Sequence, residues 1–201
     1  MRYIVLLTII LSVSCMGQAD NPLGKPIENK AQHILIVYLS QTNNTRAVAQ
    51  MIQKKTGGEM TAIELQDPYP ENYQKIVAQV AEENEAGFLP PLQTKINNLD
   101  LYDTVFIGFP TWGMQLPPPI KSFLTTNNLS GKTVIPFNTN AGYGLGSTIK
   151  TINKLCSDSK VLEAFSVEGG IERDGILFVM EGEKAEQVEE KLDDWLAKID
   201  F

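Results

Sequence analysis

Ser40-Gln-Thr-Asn-Asn-Thr45 sets the hydroxyls of Ser40, Thr42 and Thr45 and the amides of Gln41, Asn43 and Asn44 within one short stretch. Neutral donors at this density suit an anion, phosphate above all. No Lys or Arg lies inside the stretch, and Arg46 follows it directly. A helix starting here would add its free N–H groups and the positive end of its dipole. Either Thr42 or Asn44 taken alone is equally well read as a helix N-cap. The clustering is what favours phosphate.

Two further stretches carry chemistry. Pro110-Thr-Trp-Gly113 places Trp112 between a stiff and a permissive residue, where an indole can cover a flat ring or pack its own loop. Thr139-Asn-Ala-Gly-Tyr-Gly144 combines amide, hydroxyl and ring with glycines that let backbone approach a ligand closely. Tyr143 can stack on a ring or stand in solvent. The glycine spacing invites a dinucleotide reading, but a nicotinamide fingerprint belongs after the first strand, which has no such glycines.

All three stretches follow apolar runs. Ile34–Leu39 is continuously apolar, as in a strand buried on both faces, and Ala47, Val48, Met51 and Ile52 then mark a helix. Thr61–Leu65 alternates like a half-buried second strand. Tyr73, Ile76, Val77, Val80 and Ala81 mark a second helix, and 86–98 reads as an irregular connection. Thr104–Phe109 and Lys132–Phe137 read as the third and fourth strands. Pro136 lacks a ladder donor, so the fourth strand must end there or use a bulge. Pro119 suits the first turn of a third helix with Ile120, Phe123 and Leu124. Ile149, Ile152 and Leu155 mark a fourth helix, Val161–Val167 a fifth strand, and Val188, Leu192, Trp195, Leu196 and Ile199 the last helix. Turn signals crowd 168–182, where Ile176–Met180 has the composition of an extra edge strand. Strands alternating with helices imply an α/β fold with a doubly wound parallel sheet of five strands.

The Ser40–Thr45 stretch after a Tyr-containing strand resembles the FMN phosphate loop of the flavodoxin-like family, usually Ser/Thr-x-Thr-Gly-x-Thr. It departs at Asn43, where Gly is usual; Asn tolerates the left-handed backbone. Pro110-x-Trp112 is similar to the second FMN loop and 139–144 to the third. Asp67-Pro-Tyr-Pro70 followed by an acidic helix matches a longer-chain subgroup. The resemblance covers about 33–200. It implies strand order 2-1-3-4-5, with the three loops converging at one edge of the sheet. It implies FMN, its phosphate held by Ser40, Thr42, Asn44, Thr45 and the N–H groups of Gln41 and Asn43. The ring would lie between the loop carrying Pro110, Thr111, Trp112 and Gly113 and the loop carrying Thr139, Asn140, Ala141, Gly142, Tyr143 and Gly144. Aromatic stacking and an acidic surface would lower the flavin potential.

With 201 residues and 43% hydrophobic composition, one domain with a sizeable core is expected over 33–201. A net charge of −7 argues against nucleic acid and leaves room for a basic redox partner or a small electron acceptor. His33 is the only histidine, so His-based metal sites and triads have little to work with. No catalytic acid, base or nucleophile and no metal is expected. Residues 1–19 read as a signal peptide, with Arg2 before the apolar Ile4–Val13, too short for a span of about 20 residues. Ser12-Val-Ser-Cys15 resembles a bacterial lipobox, with Ser12 where Leu is usual and Cys15 as the lipidated residue. Cleavage after Ala19 is the alternative. Either implies export, to a periplasm or as a membrane-anchored lipoprotein, and 20–32 reads as a linker. Three functions fit: an FMN electron carrier, an FMN-dependent NAD(P)H:quinone-type reductase, and a flavodoxin-like binding module without flavin.

Overall fold

A computed structural model describes residues 33–201, so the expected signal peptide, Cys15 and the linker lie outside the described residues. The element order is β1 (Ile34–Tyr38), α1 (Asn44–Thr56), β2 (Glu59–Ala62), α2 (Tyr73–Ala86), β3 (Thr104–Pro110), α3 (Pro118–Thr126), β4 (Thr133–Asn140), α4 (Thr148–Leu155), β5 (Lys160–Val161), β6 (Phe165–Glu168) and α5 (Gly182–Lys198). Short 3₁₀ turns lie at Leu99–Leu101 and Glu172–Asp174. Every strand pairing is parallel, in the order β2-β1-β3-β4-β5, with β6 also on β4.

β1 is buried along its whole length, as its uninterrupted apolar run requires. Its side chains alternate between two core layers. Ile34, Ile36 and Tyr38 pack with Val48 and Ile52 of α1 and Leu192 and Trp195 of α5. Leu35, Val37 and Leu39 pack with Ile120 and Phe123 of α3 and Ile152 of α4. Cys156 is buried in this second layer, where desolvation pushes its thiol up to about 11.

Pro136 neither ends β4 nor bends it. The even-numbered residues of β4 turn their backbone groups to the sheet edge: the Val134 carbonyl accepts from Leu162 N–H and the Asn140 carbonyl from Gly169 N–H. Pro136 faces the same edge without a donor. The registers Val134↔Val161 and Phe137↔Phe165 leave Ile135 and Pro136 opposite 162–164. The edge strand carries the extra residue and splits into β5 and β6, where one unbroken strand over Val161–Val167 was expected. Ile176–Met180 is not a strand; only an isolated Ile171↔Ile176 bridge forms there.

α2 also departs from expectation. Its apolar residues Ile76 and Val80 are buried but belong to neither core layer. Leu92, Ile96, Leu99 and Tyr102, from the connection after α2, cover the second face of the sheet instead. That connection is tied to the end of β2 by Gln93 N–H to the Glu64 carbonyl and by Thr94 Oγ1 to the Ala62 carbonyl, 2.8 and 2.9 Å. Freed from covering the sheet, α2 leans on α3, where Lys121 Nζ donates to Asn84 Oδ1 at 2.7 Å. Among the described residues no helix is long and apolar enough to cross a membrane.

Candidate functional site

The carboxyl ends of β1, β3 and β4 open into one cavity of about 470 Å³, the size range of small-molecule sites. Of the residues expected there, Gln41, Thr42, Asn44, Thr45, Pro110, Thr111, Trp112, Gly113, Thr139, Asn140, Ala141 and Tyr143 line it. Ser40, Asn43, Gly142 and Gly144 do not line it; they shape the loops.

At the start of α1, Asn43 takes the left-handed conformation, φ 62°, that a glycine would otherwise supply. Its side chain makes no capping bond. Ser40 Oγ instead accepts from Arg46 N–H at 3.2 Å. The N–H groups from Gln41 to Thr45 find no acceptor among the described residues. A run of unpaired N–H groups at a helix N-terminus, beside the Thr42 hydroxyl and the cavity, is the donor set a phosphate group needs.

Asn44 has a different task from the one its type and place suggest. It is 3% exposed, and its Nδ2 donates to the Leu177 carbonyl at 2.6 Å and to Thr42 Oγ1 at 2.9 Å. Its Oδ1 accepts from Val179 N–H at 3.0 Å. The side chain is consumed in clamping the segment 177–179 onto the loop. Thr45 Oγ1 lies 2.8 Å from Thr139 Oγ1, a buried bond joining the first loop to β4.

The third loop is organised from below. Asn140 Oδ1 accepts from both Gly142 N–H and Gly144 N–H at 2.9 Å, and its Nδ2 donates to Asn138 Oδ1 and Ser166 Oγ. Thr111 Oγ1 donates to the Gly144 carbonyl at 2.9 Å and accepts from Asn138 Nδ2 at 3.0 Å, which fixes the second loop against the third. Gly146, at φ +54°, packs so tightly that an added Cβ would lie 2.3 Å from the Met114 carbonyl oxygen. Trp112 is half-buried, with Tyr69 edge-on at 5.5 Å between ring centroids. The Tyr69 hydroxyl donates to Glu83; burial and that carboxylate push its pKa up. Tyr143 by contrast is 62% exposed.

Two walls were not read from the sequence. One is α2, through Tyr73, Ile76, Val77, Val80, Ala81, Asn84 and Glu85; the other is 169–173 after β6. The second wall brings a cation: Arg173 lines the cavity, reaches the Tyr143 hydroxyl at 3.5 Å and pairs with Asp174 at 3.0 Å, which holds the Asp174 carboxyl below its usual range. Beside it Glu172 is pushed up by burial. Gly170 lets this wall sit close, since an added Cβ would lie 2.2 Å from the Leu177 carbonyl oxygen. Only the turn signals of 168–182 hinted at it. Among the described residues no group of His, Cys, Asp and Glu is placed to hold a metal ion.

A candidate flavoprotein of Bacteroides eggerthii superposes with TM-score 0.68 at 26% identity, over 84% of this chain and 98% of that one. A second, from Bacteroides uniformis, gives 0.63 at 24% identity, over 71% and 94%. A Lactobacillus acidophilus flavoprotein solved in complex with FMN gives 0.59 at 20% identity, over 67% and 93%. No curated protein matches the sequence. The flavodoxin family model matches residues 33–181. With that match over most of the chain, on the parallel sheet described above, the protein belongs to the flavodoxin family.

Proposed function

We propose that the cavity binds FMN and that the protein works as an electron-transfer flavoprotein. The observation that carries this reading is the run of unpaired N–H groups from Gln41 to Thr45, opening on a cavity flanked by Trp112 and Tyr143. The N–H groups and Thr42 would hold the phosphate through neutral dipoles. Trp112, fixed by Tyr69, and the exposed Tyr143 would hold the ring. Once bound, the flavin supplies the redox chemistry; the chain supplies binding, orientation and electrostatics. Arg173 reaches the Tyr143 hydroxyl, but its charge is offset by Asp174, so the lowering of potential expected from the acidic surface stands. The partner is a redox protein or a small electron acceptor.

The test is the visible spectrum of the purified protein after incubation with FMN and gel filtration. Retained, shifted flavin bands are expected, and a colourless protein would overturn the reading in favour of a flavin-free binding module. Thr42→Val with Thr45→Val should narrow the preference for FMN over riboflavin. An NAD(P)H:quinone-type reductase is the second reading, favoured by the apolar α2 wall. NADPH oxidation with a quinone acceptor would separate it from the carrier. We also propose export with a lipid on Cys15; palmitate labelling that survives Cys15→Ser would refute the anchor.

A further inference from the structure

Tyr73, Ile76, Val77, Val80, Ala81 and Asn84 recur at steps of three and four, so they share one face of α2. An amphipathic helix normally buries such a face on the core. This face lines the cavity instead, and the sheet beneath is covered by Leu92, Ile96 and Leu99. Val77 remains 45% exposed. None of these residues belongs to the three loops expected to hold the flavin. The apolar strip ends at Asn84. Its Oδ1 accepts from Lys121 Nζ, and because a lysine only donates, the amide cannot be turned round. Its Nδ2 donates to no described group. Glu85 next to it disfavours an anion.

We propose that the cavity face of α2 is the wall of a second binding site, for a flat, apolar, uncharged molecule whose carbonyl oxygen accepts from Asn84 Nδ2. Lys121 is a positioning residue: it holds the amide so that the donor, not the acceptor, meets the ligand. The site rests on the FMN reading only in being beside the flavin. A quinone-type carbonyl compound has the required chemistry.

The probe is menadione, titrated by calorimetry into the oxidised, FMN-loaded protein, with 2-methylnaphthalene as the carbonyl-free control. Saturable binding of menadione at one site is expected. Asn84→Leu should weaken menadione about three- to tenfold, the worth of one neutral hydrogen bond, and leave 2-methylnaphthalene unchanged. Lys121→Met should do the same without touching the ligand, and Lys121→Arg should restore binding. Val77→Trp, at an exposed position that carries no core packing, should block both compounds. FMN affinity should be unchanged in Lys121→Met and Lys121→Arg, because Lys121 does not line the cavity. Absence of menadione binding, insensitivity to these variants, or, in Lys121→Met, a loss of FMN affinity matching the loss of menadione would overturn the proposal. If the protein retains no FMN, the same titration is run on the flavin-free protein. Variant-sensitive binding there would keep this site while the FMN reading fails.

Discussion

Asn44→Ala separates a clamp from a phosphate ligand. The substitution removes the side-chain bonds to the Leu177 carbonyl, Val179 N–H and Thr42 Oγ1, and leaves the two backbone groups of the strap without their partners. Asn44 itself is 3% exposed, whereas Leu177 is 54% exposed, so water can reach the far side of the clamp and soften the loss. Each orphaned backbone group then costs about 1 kcal/mol, the low end of its range, for a total of about 2 kcal/mol. In a domain of this size that lowers Tm by about 4–8 °C. Thermal melts read the loss. Hydrogen exchange locates it, with faster exchange over 169–180 and little change in β1 and β3. Gly170→Ala should reproduce that pattern, because its Cβ would meet the Leu177 carbonyl oxygen at 2.2 Å. FMN should still be preferred over riboflavin in Asn44→Ala, since the N–H groups remain. An unchanged Tm and unchanged exchange over 169–180, together with loss of that preference, would refute the clamp and return Asn44 to the phosphate.

Burial raises the Glu172 carboxyl pKa. A raised folded-state pKa means that this group's contribution is fully present below the ordinary carboxyl range and lost as pH rises through the raised value. Glu172→Gln should therefore raise Tm at pH 7 and leave it unchanged below about pH 4; melts across that range check the sign. Trp112→Ala removes an aromatic face worth about 1–3 kcal/mol to a stacked ring. FMN Kd should rise about five- to 150-fold, read by fluorescence titration.

Much of the fold was legible because it rests on short, strong signals. β1 could only be a strand buried on both faces, and the three loops followed strands whose order brings them together. Even the left-handed conformation of Asn43 could be anticipated from its place in the loop. The misses share a cause: periodicity says that a face is apolar, not what the face meets. The α2 strip read correctly as a helix, yet nothing local shows that Leu92, Ile96 and Leu99 displace it from the sheet. The side-chain bonds of Asn44 were hidden in the same way, since its partners Leu177 and Val179 lie far along the chain. The wall carrying Arg173 has only the 3₁₀ turn Glu172–Asp174, too short to be announced by any periodicity. Pro136 gave a correct alternative, a bulge, but put it on the wrong strand.

The bulge beside Pro136 bears on how the protein avoids its own kind. An open parallel sheet ends in edges, and a long flat edge strand is a template on which another chain can grow. At the β5–β6 edge the template is interrupted: Lys160–Val161 and Phe165–Glu168 are separate short pieces. The residues between them carry Glu163, whose carboxylate is held by Lys198 of α5 at 2.6 Å and whose carbonyl is taken by Trp195 Nε1 at 3.0 Å. The missing donor of one proline inside the sheet thus breaks the rail along which copies of the chain would stack, and the last helix closes part of the gap.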